Sequence, residues 1–474
     1  MSPIRLPLIA ALSLALAACS VGPDFVRPTA ELPSGFVEAA PTSTPAEPIQ
    51  TRTWQAFADP VLDGLIEAAL TGATDIAAAD ARLREVRALA GLTRQGYLPS
   101  ATINGSGERS QPSGRDPFIP PDIGTTESWR LGFDAGWEID LFGSLRRQTE
   151  AIRAEVRAAD AESRAARQSV VAETAQAYFA LLGAQAEQRA QARNVENLKE
   201  NIATLTRGVE AGRGTKLDLA RSNALGLNAA AELPRIEAEV VRHEQRLALL
   251  TGLAVTELRS RIGPERPMPA LPPLVTAGTP EDWLRRRPDI AAAEARLAAA
   301  TARIGAEQAE LWPKLSLTGS FGATAQSPGD LGAAGAERWA IGPTLSWRVL
   351  DFGRIRQQVL AQEARAEGAY VEWEATLRRA LEETETALAR YRAALQRAEA
   401  LTRAQTAADE ALRLARVRED AGAGQRLEVL DAERTKLDID SRAAQVLTER
   451  ATALAALYKA LAGDFAVADS AQVP

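Results

Sequence analysis

Along residues 128–140, "SWRLGFDAGWEID", apolar and polar side chains alternate. The odd positions carry Trp129, Leu131, Phe133, Ala135, Trp137 and Ile139; the even ones carry Arg130, Gly132, Asp134, Gly136, Glu138 and Asp140. A period of two is that of an extended strand, whose side chains point to opposite faces in turn. The stretch 338–349 alternates likewise, with Trp339, Ile341, Leu345, Trp347 and Val349 at odd positions, and 313–325 does so through Leu315, Leu317 and Phe321. Residues 100–108, "SATINGSGE", are a weaker member. The pattern predicts four strands, near 100–108, 128–141, 314–325 and 338–351.

Elsewhere the period lengthens. Val195, Leu198, Ile202, Leu205 and Val209 step by three and four, the seam of a coiled coil, and Leu381, Leu388 and Leu395 step in sevens, as do Leu447, Leu454 and Leu461. No proline interrupts 144–207 or 344–473. A helix of about 64 residues reaches roughly 96 Å. Each long helix is expected to turn back at a glycine tip, Gly212/Gly214 and Gly422/Gly424, into a returning helix, the first kinked at Pro234. A helix near 61–96 precedes the first strand pair and one near 281–311 the second. The latter opens with Thr279 as N-cap and Pro280 at the first helical position; Pro99 and Pro313 stop them.

The chain also repeats itself. "DIAAADARL" (75–83) returns as "DIAAAEARL" (289–297), and Leu98-Pro99 as Trp312-Pro313, at an offset of 214. "WEIDLFG" (137–143) matches "WRVLDFG" (347–353), and "AGRG" (211–214) matches "AGAG" (421–424), at 210. Offsets this constant imply two copies of one helix–strand–strand–long helix–helix unit, 54–262 and 281–463. The proline-rich stretch 263–280 reads as an extended linker between them, and 464–474 as a tail.

Alternation alone fits any half-buried sheet, including one on a soluble core. Charges on the polar face and a tryptophan pair eight residues apart in both copies, Trp129/Trp137 and Trp339/Trp347, favour lipid instead. Eight residues span about 26 Å along a strand. At a tilt of about 40° that is roughly 20 Å of height, near the spacing of the aromatic girdles of a transmembrane barrel. Four strands cannot close a barrel, and open edges in hydrocarbon leave backbone groups unsatisfied. Spanning strands therefore require an oligomer, of a copy number these arguments leave open.

Composition adds boundaries. With 55 basic and 62 acidic side chains the net charge is −7, which gives no footing for nucleic acid. Beyond the N-terminus no run of about 18 apolar residues exists for a spanning helix. Arg5 followed by an apolar run ending in small residues reads as a signal peptide over 1–18. Leu16-Ala17-Ala18-Cys19 resembles a bacterial lipobox, which implies cleavage before Cys19, acylation of its amine and sulfur, and an extended acylated segment over 19–53. The alternative is a plain signal with an incidental cysteine. Ser20 in place of an inner-membrane retention Asp points to the outer membrane. There is no phosphate-binding G-x-x-x-x-G-K-[ST]. His243, the one histidine, sits among charges and reads as an exposed surface residue; no metal site, cofactor or catalytic constellation is expected.

"LRRRPDIAAAEARLAAATARIGAEQAELWPKLSL" (284–317), "CSVGPDF" behind the lipobox and "DLFG" (140–143) together resemble the TolC-like outer-membrane factors of tripartite efflux pumps, within them the NodT/OprM-like lipoprotein branch. The resemblance covers essentially the whole mature chain. It implies a mainly helical fold with a transmembrane β-barrel portion: a homotrimer whose twelve-stranded barrel in outer-membrane lipid continues into a twelve-helix tunnel across the periplasm. It also implies a passive, non-enzymatic conduit for drugs or other small molecules, fed by an inner-membrane pump of the RND type through a periplasmic adaptor. Acidic residues past the second tip ring the periplasmic aperture in this family; they carry over to Glu428 and Asp431 in "LEVLDAE" (427–433), on one helix face at i, i+3. A solvated helix face is the plainer reading of that pair. The tips, Gly212, Arg213, Gly214 and Thr215, then Gly422, Ala423, Gly424 and Gln425, are implied to dock the adaptor, although glycines there also serve left-handed turns. Where some members carry a latching Tyr and Arg, this chain has Glu419 and Gly424. The rival readings are a periplasmic adaptor lipoprotein and a lipid-anchored enzyme.

Overall fold

Four antiparallel strands pair in the order β1-β2-β3-β4: β1 (Ser100–Ser110), β2 (Thr126–Ile139), β3 (Lys314–Ala325) and β4 (Glu337–Ser346). The computed structural model describes residues 20–29, 32–38, 53–113, 115, 124–212, 214–263, 266–272, 279–281, 286–424 and 426–461. Around the strands run helices α1 (Pro60–Gly72), α2 (Thr74–Gln95), α3 (Ser144–Glu210), α4 (Lys216–Thr251), α5 (Val255–Ile262), α6 (Pro288–Gln308), α7 (Phe352–Asp420) and α8 (Arg426–Ala460). At 67 and 69 residues, α3 and α7 are each about 100 Å long. None of the described helices is long and apolar enough to cross a membrane. The chain divides into two units, one of residues 1–29, 82–160 and 292–374, the other of 30–81, 161–291 and 375–474.

In the first unit, register does what no single strand can do. Odd residues pair only with odd residues: Ile103 with Phe133, Phe133 with Phe321, and Phe321 with Trp339. Leu317 lies between Trp137 and Pro343, and Leu315 between Ile139 and Leu345. The apolar halves of four separate alternations thus merge into one face. The other face collects Asn104, Asp134, Arg130, Glu138 and Arg338, with Asn104 Nδ2 donating to Asp134 at 2.8 Å across β1 and β2. Gly322 permits the close β2–β3 approach, because a Cβ there would fall 2.4 Å from the Leu131 carbonyl oxygen.

Three motifs far apart in sequence meet beside the sheet. Val21 N–H donates to the Phe142 carbonyl at 3.2 Å, and the Phe142 ring stacks on Trp312 at 5.1 Å. Gly22, in the left-handed region at φ +101°, lies so close to Gly305 that a Cβ would come within 2.3 Å of its Cα. The buried Arg147 guanidinium donates to the Val21 and Gly22 carbonyls and pairs with Asp24 and Glu150, each at 2.8 Å. Phe25 packs on Ala154, Ala298 and Ala299, where small side chains let α3 and α6 approach.

The second unit holds the main core. Tyr178, Phe179, Leu181 and Leu182 of α3 pack with Leu247 and Leu250 of α4, Leu454, Leu457 and Tyr458 of α8, and Trp54, Phe57, Leu62, Leu65 and Ile66 near its start. Asp59, 3 % exposed, is its polar node. Its carboxylate caps α1 through Val61 N–H at 2.9 Å, accepts from Tyr178 Oη at 2.7 Å, and pairs with Arg266 at 2.7 Å. Arg287 closes α8 by donating to the Ala460 carbonyl at 3.1 Å while held by Asp289 and Glu383.

Four expectations change. The helix near 61–96 is two helices broken at Ala73, whose ψ is 126°; there Gly72 lies against the Thr251 carbonyl, where a Cβ would fall 2.2 Å away. The helix near 281–311 is interrupted at Arg286–Arg287 and restarts at Pro288, because a residue before proline avoids the helical region. β4 ends at Ser346 rather than near 351; a turn closed by Asp351 N–H on the Arg348 carbonyl follows, and Trp347 lies beyond the strand. His243 is not an exposed surface residue: its side chain is 14 % exposed, and burial, reinforced by Arg242, lowers its pKa. Pro234, where a kink is expected, lies within the continuous helix α4.

Candidate functional site

On β2 the tryptophans stand eight residues apart on the apolar face, Trp129 opposite Gly107 and Ala325, and Trp137 opposite Leu317. Trp339 lies between them, in the row of Phe133 and Phe321, and is 75 % exposed in the single chain. Ile103, Leu131, Phe321, Ile341 and Leu345 share that exposed face. Two tryptophans are anchored in the same way. Trp137 Nε1 donates to the Tyr97 carbonyl at 2.9 Å, and Trp347 Nε1 to the Leu311 carbonyl at 3.1 Å, so each indole binds the end of the helix that leads into its sheet. The sequence gives no signal for these bonds, because donor and acceptor lie 40 and 36 residues apart.

At the far ends of the long helices, backbone geometry explains the glycines. Gly422 has φ +69°; its N–H binds the Glu419 carbonyl at 2.9 Å, and Ala423 N–H binds the Arg418 carbonyl at 2.9 Å. That pair of bonds is a Schellman cap, which needs a left-handed residue at this place. Gly424 follows with Arg418 Cβ only 3.0 Å from where its own Cβ would stand. In the first tip Gly212 has φ +73° and donates to the Val209 carbonyl at 3.0 Å. Thr215 then caps α4 by accepting from Asp218 N–H at 3.1 Å. Arg213 and Gln425 lie outside the described residues, as does Cys19.

Glu428 and Asp431 both fall in the first turns of α8, and both are exposed. Glu428 stands 3.6 Å from Arg418. An acidic side chain is favourable at a helix N-terminus, so the first turn alone justifies Glu428 but not Asp431. At an offset of 210 the sequence has Asp218 and Arg221, so the acidic pair has no counterpart there. Beside it is a chain of ion pairs that the sequence analysis missed. Arg426 pairs with Glu419 at 3.1 Å and donates to Asn201 Oδ1 of α3 at 2.7 Å. Glu433 accepts from Arg416 at 2.9 Å and from Asn201 Nδ2 at 3.5 Å. Glu419 thus takes part in a bridge between the two hairpins. Asn201 sits in an ordinary heptad run, and nothing in that run marks it. Among the described residues no cluster of potential metal ligands occurs.

The profile of the outer membrane efflux protein family matches residues 65–253 and 279–463. The chain belongs to this family. It is 30% identical to the outer membrane protein OprJ of Pseudomonas aeruginosa over 456 residues, 95% of this chain and 94% of the relative. It is 29% identical to nodulation protein T of Rhizobium leguminosarum bv. viciae, over 96% and 93% of the two chains. Among solved structures, the outer-membrane channel OprN superposes with a TM-score of 0.87 at 35% identity, covering 94% of this chain and 99% of that one. The open state of the Neisseria gonorrhoeae MtrE outer membrane channel does so with 0.84 at 28% identity, covering 94% and 99%. The protein is therefore an outer-membrane efflux channel subunit of the NodT/OprM type, with the mainly helical fold of TolC-like channels extending into the periplasm. Its relatives are channel proteins rather than enzymes.

Proposed function

We propose that three copies of this efflux protein close their sheets into one twelve-stranded barrel, and that the barrel continues into a helical tunnel conducting small molecules passively from the periplasm. The observation that carries this reading is the sheet itself. Short of its loop end, where Arg109, Glu127 and Glu337 stand at odd positions, its odd-numbered face is apolar in all four strands, with Ile103, Leu131, Phe133, Phe321, Trp339, Ile341 and Leu345 exposed. Among the described residues its β1 and β4 edges have no neighbouring strand. Hydrocarbon accepts such a face but not such edges. Closure with other copies satisfies both, and twelve is an even strand number within the range of bacterial barrels. The two units 54–262 and 281–463 would then supply six near-equivalent segments. Trp129 and Trp137, with Trp339 and Trp347, would serve as interfacial anchors.

In this reading Cys19 carries the acyl chains, and the hairpin tips, Gly212–Thr215 and Gly422–Gln425, meet a periplasmic adaptor linked to an RND-type inner-membrane pump. Energy comes from that pump; this subunit catalyses no reaction and holds no cofactor. Glu428 and Asp431 from three chains would ring the aperture with six carboxylates, favouring cations. Arg426, bound to Glu419 and Asn201, would take the place of the absent Tyr and Arg in holding the aperture narrow.

Single-channel current from the purified acylated protein in a planar bilayer tests this, alongside an unboiled gel for the trimer. Cation-selective current from a trimer is the expected result. A monomer without current would overturn the trimeric channel assembly.

A further inference from the structure

At the helical end of the sheet lies a basic hollow of about 650 Å³. Arg94 at the end of α2 and Arg153 and Arg157 of α3 line it, together with Tyr97 and Thr149. The two α3 arginines are four residues apart and so share one helix face. The other charged groups of its wall are already engaged: Arg146 with Asp140 at 3.3 Å, and Glu150 with Arg147 at 2.8 Å. Arg94, Arg153 and Arg157 have no carboxylate partner among the described residues, and all three are exposed. Three unneutralised guanidiniums around one hollow call for an anion, and their planar forks suit phosphate.

The position identifies the source of that phosphate. Tyr97 links the hollow to the lipid-facing band: its carbonyl accepts from Trp137 Nε1 at 2.9 Å, and its hydroxyl accepts from Thr149 Oγ1 at 3.2 Å. Trp137 is the last tryptophan on the apolar face of β2 before α3. Tryptophan at such a border sits at headgroup level. The hollow therefore opens where the headgroups of the periplasmic leaflet lie.

The second half of the chain supplies an internal contrast. Trp347 is anchored to Leu311 as Trp137 is to Tyr97, so the two places correspond, at offsets of 210 and 214. At the positions corresponding to Arg94, Arg153 and Arg157 the second copy has Gln308, Glu363 and Glu367. The corresponding positions thus carry three guanidiniums in one copy, and an amide and two carboxylates in the other. Packing that both copies share does not require the arginines.

We propose that Arg94, Arg153 and Arg157 form a binding site for the phosphate of an anionic phospholipid in the periplasmic leaflet, one per chain. This rests on the membrane-spanning reading above. It adds a lipid-specific contact, three around the trimer rather than six, placed just outside the barrel wall.

The test is native mass spectrometry of the detergent-purified trimer titrated with phosphatidylglycerol or phosphatidylcholine, with inorganic phosphate as competitor. The wild type should retain up to three phosphatidylglycerol molecules, with a preference of roughly tenfold or more over phosphatidylcholine that weakens with salt. R94Q/R153Q/R157Q should lose that preference while E363Q/E367Q keeps it. If the triple variant does not trimerise, R153Q and R157Q singly should each reduce the preference. Undiminished preference in the arginine variants would overturn the site. Displacement of the lipid by millimolar phosphate would make it a free-anion site instead. Altered ion selectivity in a bilayer, with lipid retention unchanged, would place the arginines on the conduction path and overturn the lipid assignment. Failure of the wild type itself to form trimers would sink the channel reading rather than this one.

Discussion

Asp59→Ala should be among the most damaging single substitutions in the second unit. The carboxylate is 3 % exposed and serves three donors: the α1 N-terminus at 2.9 Å, Tyr178 Oη at 2.7 Å and Arg266 at 2.7 Å. Loss of an N-cap costs about 1 kcal/mol. A hydrogen bond to a charged group contributes about 1.5–3 kcal/mol, and most of that is lost when the buried partner is stranded. Because Arg266 can turn its head toward water, with a side chain 30% exposed, the total comes to about 3–5 kcal/mol. Asp59→Asn keeps the cap and one acceptor and should lose about 1–2 kcal/mol. Tyr178→Phe should cost about 1–2 kcal/mol, and in combination with Asp59→Ala the losses should fall short of additive by about 1 kcal/mol, since the stranded hydroxyl is gone. Guanidinium denaturation of the detergent-solubilised protein, followed by helical circular dichroism at one fixed protein concentration, reads these differences. A midpoint for Asp59→Ala indistinguishable from wild type, or full additivity with Tyr178→Phe, would refute the argument.

Glu428→Ala/Asp431→Ala should increase current or reduce cation selectivity in a planar bilayer; unchanged current would move the aperture elsewhere. Tyr458, whose buried hydroxyl has no hydrogen-bond partner among the described residues, should tolerate Phe with no loss or a gain of up to about 1 kcal/mol, in contrast to Tyr178. Burial raises Tyr458 to a pKa of about 12 from its ordinary 10.0, so both states keep the proton below pH 10, and stability falls as pH climbs from 10 toward 12 because only the unfolded chain releases it. Melting curves of Tyr458→Phe against wild type across that window check the slope. His243 has the opposite sense. Its pKa lies below the ordinary 6.5, so the unfolded chain takes up protons first as pH falls through 6.5 and stability declines. His243→Gln should lose less stability on acidification than wild type; parallel melting curves would contradict this. Gly322→Val should prevent the β2–β3 approach and abolish the heat-resistant trimer on an unboiled gel, and survival of that trimer would show that the strands can separate at this point.

β2 was legible because one side of it is apolar through six consecutive odd positions, and a pattern that long survives any register. Gly422 was legible for a similar reason: a helix that must end in a left-handed residue advertises it with glycine. β4 was misjudged at its end because Trp347 and Val349 continue the alternation while the backbone has already turned. The second leading helix does begin at Pro280 but departs from the expectation at Pro288, whose preceding residue avoids the helical region. At the tip, resemblance alone singles out Glu428 and Asp431, whereas nothing in the sequence points to the bridge from Arg426 to Asn201, whose partners are 225 residues apart.

Local pattern by itself determined the strands, the long helices, the turning points and their near-duplication, because each depends on residues within a few positions of one another. Tertiary structure alone decided that the odd positions of all four strands share one face, that Asp59 serves Tyr178 and Arg266, that His243 is half-buried, and that three arginines gather beneath Trp137. Those outcomes depend on register and on which helices meet. Many chain paths are compatible with the same periodicities, and only burial, pairing and the satisfaction of buried polar groups select among them.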